Sequence, residues 1–546
     1  MMKLSSFRLF VIAILVALTL LLQTNLAPAA PVTVTGEIVD SSSQQVVPAR
    51  IYVHNQAGQW FFPVSAATNG SAIRYERQNG ANQLALEMHT TLSAHPFKLE
   101  LEPGNYTFMV ERGKEYLPLT NRVQVGSQPM NLQLPLRRWV NLAARGWFSG
   151  DTHNHRAPAE LPNVMLAEDV NVALPMVYWT TEESVPPAGS PRNMKGQFAA
   201  ALTRVDDTHV IWPRNTEYEI FTTAKKSHTL GALLLVNHRG VIDLPALPVS
   251  KVAEWARREG ALLDLEKHNW AWSLAIVPLV KPDLFELANN HHWRTEYAAR
   301  NWAEPAPPWM DLGTGGGTER EWTIYGFKTY YALLNSGFRL SPAAGTANGV
   351  HPVPLGFGRV YVHIGRQFDY DAWMQGLKAG RSFVTTGPML LAEVNSELPG
   401  GRVSGRPGRL QKLKIKGTVL SEQPVHEVEL VVNGQVVKTI SLKPRQTKQG
   451  AWEAVFAGDW SCDGSSWLAL RCFESRASDR FRFAHTAPWF VEVPGEPLRP
   501  KKQEVEWFIQ SVRKELERSA PVLPPEAVQE YRQALAAYEA LLPQAR

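Results

Sequence analysis

The sequence predicts a multidomain chain: an α/β domain set between two β-sandwiches, with a helical tail. Three observations lead there. Short alternating segments bounded by turn residues fill residues 31–136 and return over 392–495. Between them, Ala232-Leu233-Leu234-Leu235-Val236 is a continuous apolar run, as in a strand covered on both faces, and a segment of helical period follows it. Beyond residue 503, apolar residues recur at helical spacing. A length of 546 residues exceeds what one hydrophobic core serves. A content of 44% hydrophobic and 20% charged residues is that of an ordinary globular protein.

Residues 1–29 read as an export signal. Lys3 and Arg8 give a positive start, Leu9 to Leu22 an apolar run, and Ala27-Pro28-Ala29 a small-x-small cleavage site. The run is short for a membrane span, which needs about 20 residues. The expected location is periplasmic or secreted, without stable membrane insertion after cleavage; an uncleaved anchor is the competing reading. The net charge of +5 includes two positive residues of this segment, and no dense Lys/Arg tract follows, so a nucleic-acid partner is not expected.

In residues 31–136, Val32–Val39 and Ala49–Val53 read as strands, and Pro103-Gly104-Asn105 as a hairpin joining Leu99–Glu102 to Tyr106–Val110. In residues 137–391, Ser250 is placed to cap a helix carrying Val252, Trp255 and Ala256, with Gly260 ending it. Ala261–Leu265 follows as a strand, so strand, helix, strand predicts a parallel layout. Asp371 is the expected cap of a short helix with Trp373 and Leu377, closed by Gly380. In residues 392–495, Asn433-Gly434 between two alternating runs is a strong hairpin signal. The only two cysteines, Cys462 and Cys472, fit either a cross-strand disulfide or two buried thiols. The tail, 503–546, carries two stripes: Val505, Phe508, Ile509, Val512 and Leu516, then Val528, Tyr531, Leu535 and Tyr538.

The chemistry concentrates in Asp151-Thr152-His153-Asn154-His155, at the end of a partly apolar approach. On a strand, residues i, i+2 and i+4 share a face, which sets Asp151, His153 and His155 in one row. Two imidazoles and a carboxylate suit a divalent metal, zinc first, with manganese or iron as alternatives. Asp151 is expected either to orient a ligand histidine or to act as a base. Trp179, Trp270, Trp272, Trp293, Trp302 and Trp309 crowd the same segment and suit a core or a wall for a glycan or aromatic substrate. Gly313-Thr314-Gly315-Gly316-Gly317 reads as a flexible lid.

These motifs resemble the polymerase-and-histidinol-phosphatase (PHP) superfamily and its carbaryl-hydrolase-like CehA/McbA branch. The likeness rests on Gly150–His155, on Ala167–Val172 and on Lys378–Pro388, and covers about half the chain, residues 137–391. The Pro103–Tyr106 turn is similar to that of carboxypeptidase-regulatory-like or transthyretin-like domains. The PHP resemblance implies a distorted (β/α)7 barrel with metals at the carboxyl ends of its strands. It implies His153 and His155 as the first ligand pair, Glu217 as a carboxylate ligand with Glu219 competing, and His228 as a further histidine ligand. The chain departs from the pattern at Val177-Tyr178-Trp179, at Gly345–Gly349 and at Glu266-Lys267-His268. One metal or a rearranged pair is therefore expected. Either Lys267 substitutes for a metal charge or His268 remains a ligand; Asn289-Asn290-His291-His292 adds further candidates, with His291 preferred over His292, and His351 is a replacement ligand from its loop. Asp264 and Glu266 share a strand face and serve either the site or a scaffold of salt bridges. The implied function is a metal-dependent hydrolase of ester, carbamate or phosphoester bonds on a small molecule or glycan. A non-catalytic extracellular glycan- or ligand-binding relative is the alternative.

Overall fold

A computed structural model describes residues 30–79, 83–267, 269–295, 306–312 and 317–546. Residues 1–29, where the export signal is expected, His268, Trp302 and residues 313–316 of the glycine loop lie outside the described residues. Among the described residues, no helix is long and apolar enough to cross a membrane. The chain is multidomain, mixed α/β, and richer in strand than in helix.

The N-terminal domain is a sandwich of two sheets. One centres on Val32–Asp40, which pairs parallel with Met130–Arg138 and antiparallel with Phe97–Leu101. The other centres on Ala49–Asn55, flanked by Gly104–Glu111 and Leu86–Leu92. Alternation selects the buried face: Phe97, Leu99 and Leu101 point inward while Lys98 and Glu100 are exposed. Together with Val34, Ile51, Phe108 and Val110 they fill the core. The turn at Pro103 carries the chain from one sheet to the other, so it is a crossover between layers and not the expected hairpin.

The central domain is organised around Trp147–Asn154, a strand buried along its whole length. It pairs parallel with Val172–Pro175, through a crossover helix at Leu161–Glu168. The chain then continues into Tyr178–Glu182, parallel to Thr216–Thr223. Ala232–Val236 lies antiparallel to Thr216–Thr223, and Leu262–Leu265 lies antiparallel to Ala232–Val236. The expected parallel unit around Val249–Arg258 is therefore corrected. The hairpin through Lys226–Ser227 reverses Ala232–Val236 before the helix begins. Parallel pairing resumes from Leu262–Leu265 to Leu284–Ala288 and on to Ser341–Ala344. Just past this last strand the chain returns to the first. Thr346 N–H donates to the His153 carbonyl at 3.0 Å, and His155 N–H to the Asn348 carbonyl at 2.7 Å.

Two helix caps differ from expectation. Val249–Arg258 has no side-chain cap of its own; its first amides, Val249 and Ser250, donate at 2.8 Å each to the Glu530 carboxylate of the tail. Asp369, not Asp371, caps Tyr370–Lys378 by accepting from Ala372 N at 2.7 Å.

The tail helices Lys502–Ser519 and Pro525–Glu539 lay their apolar stripes on the central domain, burying Phe508, Val512, Tyr531 and Tyr538. Beneath them Ala271–Val280 is apolar on nearly all sides and contains Pro278. Proline lacks the N–H that would bond the carbonyl four residues back. That carbonyl belongs to Leu274, and the Tyr538 hydroxyl donates to it at 2.7 Å.

The C-terminal sandwich shares a sheet with the central domain. Trp147–Asn154 pairs with Arg359–His363, that with Ser382–Thr385, and that with Phe481–Thr486. The facing sheet begins at Met389–Val394, so the expected boundary at 391 falls inside a strand. Asn433 and Gly434, both in the left-handed region at φ 49° and 81°, form the expected tight turn. Cys462 and Cys472 are both buried, free thiols.

Candidate metal centre

The site lies where the ends of the central strands converge. His153 is next to last on Trp147–Asn154, and His155 follows just beyond the strand end. Their Nε2 atoms face each other at 3.3 Å. Glu217, near the start of Thr216–Thr223, brings Oε2 to 3.0 Å from His155 Nε2 and 3.6 Å from His153 Nε2. On its other side His153 Nδ1 meets Glu286 Oε2 at 3.0 Å, with Glu266 Oε1 at 4.0 Å. Two overlapping donor groups result, His153–His155–Glu217 and His153–Glu266–Glu286. In the neutral tautomer that donates Nδ1–H to Glu286, His153 Nε2 offers a lone pair. A lone pair, a second imidazole nitrogen and a carboxylate oxygen converging on one point are the donor set of a divalent cation, so the residues fit one.

Charge balance points the same way. Asp264, Glu266, Glu286 and Glu217 are buried, with Glu219 beside them, and the Lys267 ammonium is the one lysine charge among them. Burial, with Glu286 and Glu266 adding to it, pushes the Asp264 carboxyl well up. Burial lifts Glu286 to about 7 despite His153. Burial also lifts Glu219 to about 7, against Lys267. Burial disfavours a charged His153, yet Glu286, Glu217 and Glu266 outweigh it and hold the imidazole well above its ordinary value. Glu217 is held well below the carboxylate range, because the two histidines overcome its burial. Among the described residues, Asp264 Oδ1, Glu266 Oε2 and Glu286 Oε1 are buried with no hydrogen-bond partner.

Several expected residues take other places. Asp151 does not touch an imidazole. Its carboxylate accepts from Thr346 Oγ1, Gly356 N and His153 N, at 2.5, 2.9 and 3.1 Å. These bonds anchor the loop 346–356 to the strand that carries His153. The strand pairing is irregular between Asp151 and Asn154, which breaks the single row that strict alternation predicts. His228 is also corrected. It follows the short strand Lys226–Ser227, at the far end of the hairpin from Glu217, and its Nε2 meets Ser519 Oγ at 2.9 Å. From Glu217 to the pair Thr222–Ser227, the strand rise of about 3.3 Å per residue adds up to about 17 Å. His291 packs 4.9 Å from the Trp322 ring and belongs to neither donor group. His292 bonds Thr323 Oγ1 at 3.1 Å. His351 sits on the loop against Trp293 and also belongs to neither group. Burial, with Lys267 and both site histidines adding to it, keeps its imidazole down at about 3.

Lys267 lies at the site, against Glu266 and 3.3 Å from Glu219 Oε1. Glu286 is a site residue that the sequence reading passed over, whereas Asn290 stood within the Asn289–His292 run of further candidates. The available signal was a lone carboxylate inside the apolar strand Leu284–Ala288. Asn290 Nδ2 donates to Glu266 Oε1 at 3.0 Å. Gly345 makes the close packing possible: a Cβ there would sit 2.3 Å from His153 Cβ and 2.9 Å from the Glu286 carboxyl carbon.

Of the tryptophans, Trp179 flanks the centre, its ring 4.8 Å from that of His155, with the Arg192 guanidinium 5.6 Å above it. Trp272 is core, Trp270 meets Phe221, and Trp309 packs on Trp507 of the tail. No protein-family model matches this chain, and no curated protein does.

Proposed function

We propose that this chain is an exported, metal-dependent hydrolase of ester, carbamate or phosphoester bonds, built on a degenerate PHP-type barrel. The observation that carries the reading is the meeting of His153 Nε2, His155 Nε2 and Glu217 Oε2 at 3.0 to 3.6 Å from one another at the ends of buried strands. The return of the chain from Ser341–Ala344 to the His153 strand supports the barrel. His153, His155 and Glu217 would hold the ion. When bound, a divalent metal supplies Lewis acidity and lowers the pKa of water toward about 7. Glu286 keeps the His153 proton at Nδ1 and so keeps Nε2 turned to the ion. Glu217 adds the negative charge that a pair of neutral imidazoles lacks. Trp179 shields the His155 side from water and offers an apolar face to a substrate.

Metal analysis of purified protein beside His153→Ala/His155→Ala tests the reading. The wild type is expected to retain close to one equivalent of zinc or manganese after desalting, and the double variant a small fraction of that. Equal metal content in the two proteins rules the reading out. A screen of phosphate, carboxyl and carbamate esters then addresses the bond. Retained metal with no turnover of any of them favours the ligand-binding alternative.

A further inference from the structure

Glu217 and Glu219 lie two apart on Thr216–Thr223, and two-residue spacing turns both toward the same face. Glu217 meets the two histidines; Glu219 meets a different cation, the ammonium of Lys267, at 3.3 Å. Lys267 also contacts Glu266 Oε1, and Asn290 Nδ2 donates to that same oxygen at 3.0 Å. Glu266 Oε1 in turn lies 4.0 Å from His153 Nδ1. The pocket therefore holds two neighbouring cation seats joined by the His153 imidazole and lined with oxygen donors. Glu266 Oε2 and Asn290 Oδ1, both buried, have no hydrogen-bond partner among the described residues. Burying a lysine sacrifices its strong hydration, and packing alone does not repay that. The backbone at Lys267 is also in the left-handed region, φ 51°, unfavourable for any residue with a Cβ. Two independent costs converge on this one side chain.

We infer that Lys267 is a built-in cation that fills the seat of a second metal ion, so that the centre takes one metal beside an ammonium and not a metal pair. This rests on the metal reading above and deepens it. Lys267 keeps Glu219 and Glu266 compensated whether or not the first ion is present.

The test counts metal in the full-length mature protein. Lys267→Gly empties the seat and suits the left-handed backbone; Lys267→Ala is a second variant with a different backbone preference. Each is loaded with Zn2+ alone, desalted and assayed for zinc per chain, with circular dichroism as the check on fold. The expected result is one zinc in the wild type and about twice that in Lys267→Gly, falling back to one when Glu219→Gln is added. Two zinc ions in the wild type, or one in both folded Lys267 variants, overturns the inference. A wild type that binds no zinc overturns the metal reading and this inference together.

Discussion

The His153 imidazole is the residue on which the centre turns, because its two nitrogens serve different groups. Nε2 faces His155 and Glu217, while Nδ1 faces Glu286. A carboxylate behind a ligand histidine fixes its tautomer and raises its basicity, and losing it typically lowers metal affinity about 10–100-fold. Glu286→Gln keeps the shape and an acceptor oxygen but removes the charge. Zinc affinity, measured by chelator competition, is expected to fall within that range, with the far-ultraviolet spectrum unchanged. Wild-type affinity in this variant would mean that Glu286 is only a structural neighbour. Much of this was legible in the sequence. The His-x-His spacing and Glu217 are short-range or motif signals, and the fold brings them together. Glu286 was not, since a single carboxylate in an apolar strand gives no spacing to read. Asp151 and His228 misled for opposite reasons: local alternation is broken near Asp151, and His228 lies on the wrong end of a hairpin whose direction no local pattern encodes.

Among the elements, Ala271–Val280 is the least self-sufficient. Pro278 costs it a backbone donor, and the Tyr538 hydroxyl supplies the replacement to Leu274 O from another helix. Removing one partner of a buried hydrogen bond costs about 1–3 kcal/mol. Tyr538→Phe keeps the ring and its contact with Phe508, so the expected loss in denaturant-unfolding free energy is of that order. A change smaller than about 0.5 kcal/mol would show that the carbonyl does not need the bond. Apolar runs and stripes made the strands and tail helices readable. Strand direction was not readable, because pairing between Ala232–Val236 and Leu262–Leu265 is set by the preceding hairpin and not by the helix between them. Caps supplied from afar, such as Glu530 on Val249 and Ser250, are invisible to local rules for the same reason.

For the molecule as a whole, the N-terminal sandwich is locked to the central domain by buried charges. Arg50 bridges Glu111 and Glu168, and Arg294 reaches Glu87 at 3.1 Å. Glu87 is held down at about 2 although burial opposes it, because Arg294, His89 and Arg50 surround it. Burial, partly offset by Glu87, keeps His89 down at about 4. Both native values lie below the unfolded ones, 4.5 and 6.5. Each group therefore adds stability that is present above its unfolded value and is lost as pH falls toward its native one. The urea midpoint is expected to drop between pH 6.5 and 4 through His89 and further below 4.5 through Glu87. In Glu87→Gln/His89→Gln that acid dependence should flatten; an unaltered slope would place the sensitivity elsewhere.

The continuous pairing from Trp147–Asn154 through Ser382–Thr385 to Phe481–Thr486 has one more consequence. There is no seam at which the half that holds the candidate site can be cut free: any fragment stopping near residue 391 bares a raw strand rim, an invitation to self-association. The two halves share a single fate in folding, and the ornamental-looking terminal sandwich is, in mechanical terms, the back wall of the room that holds the candidate site.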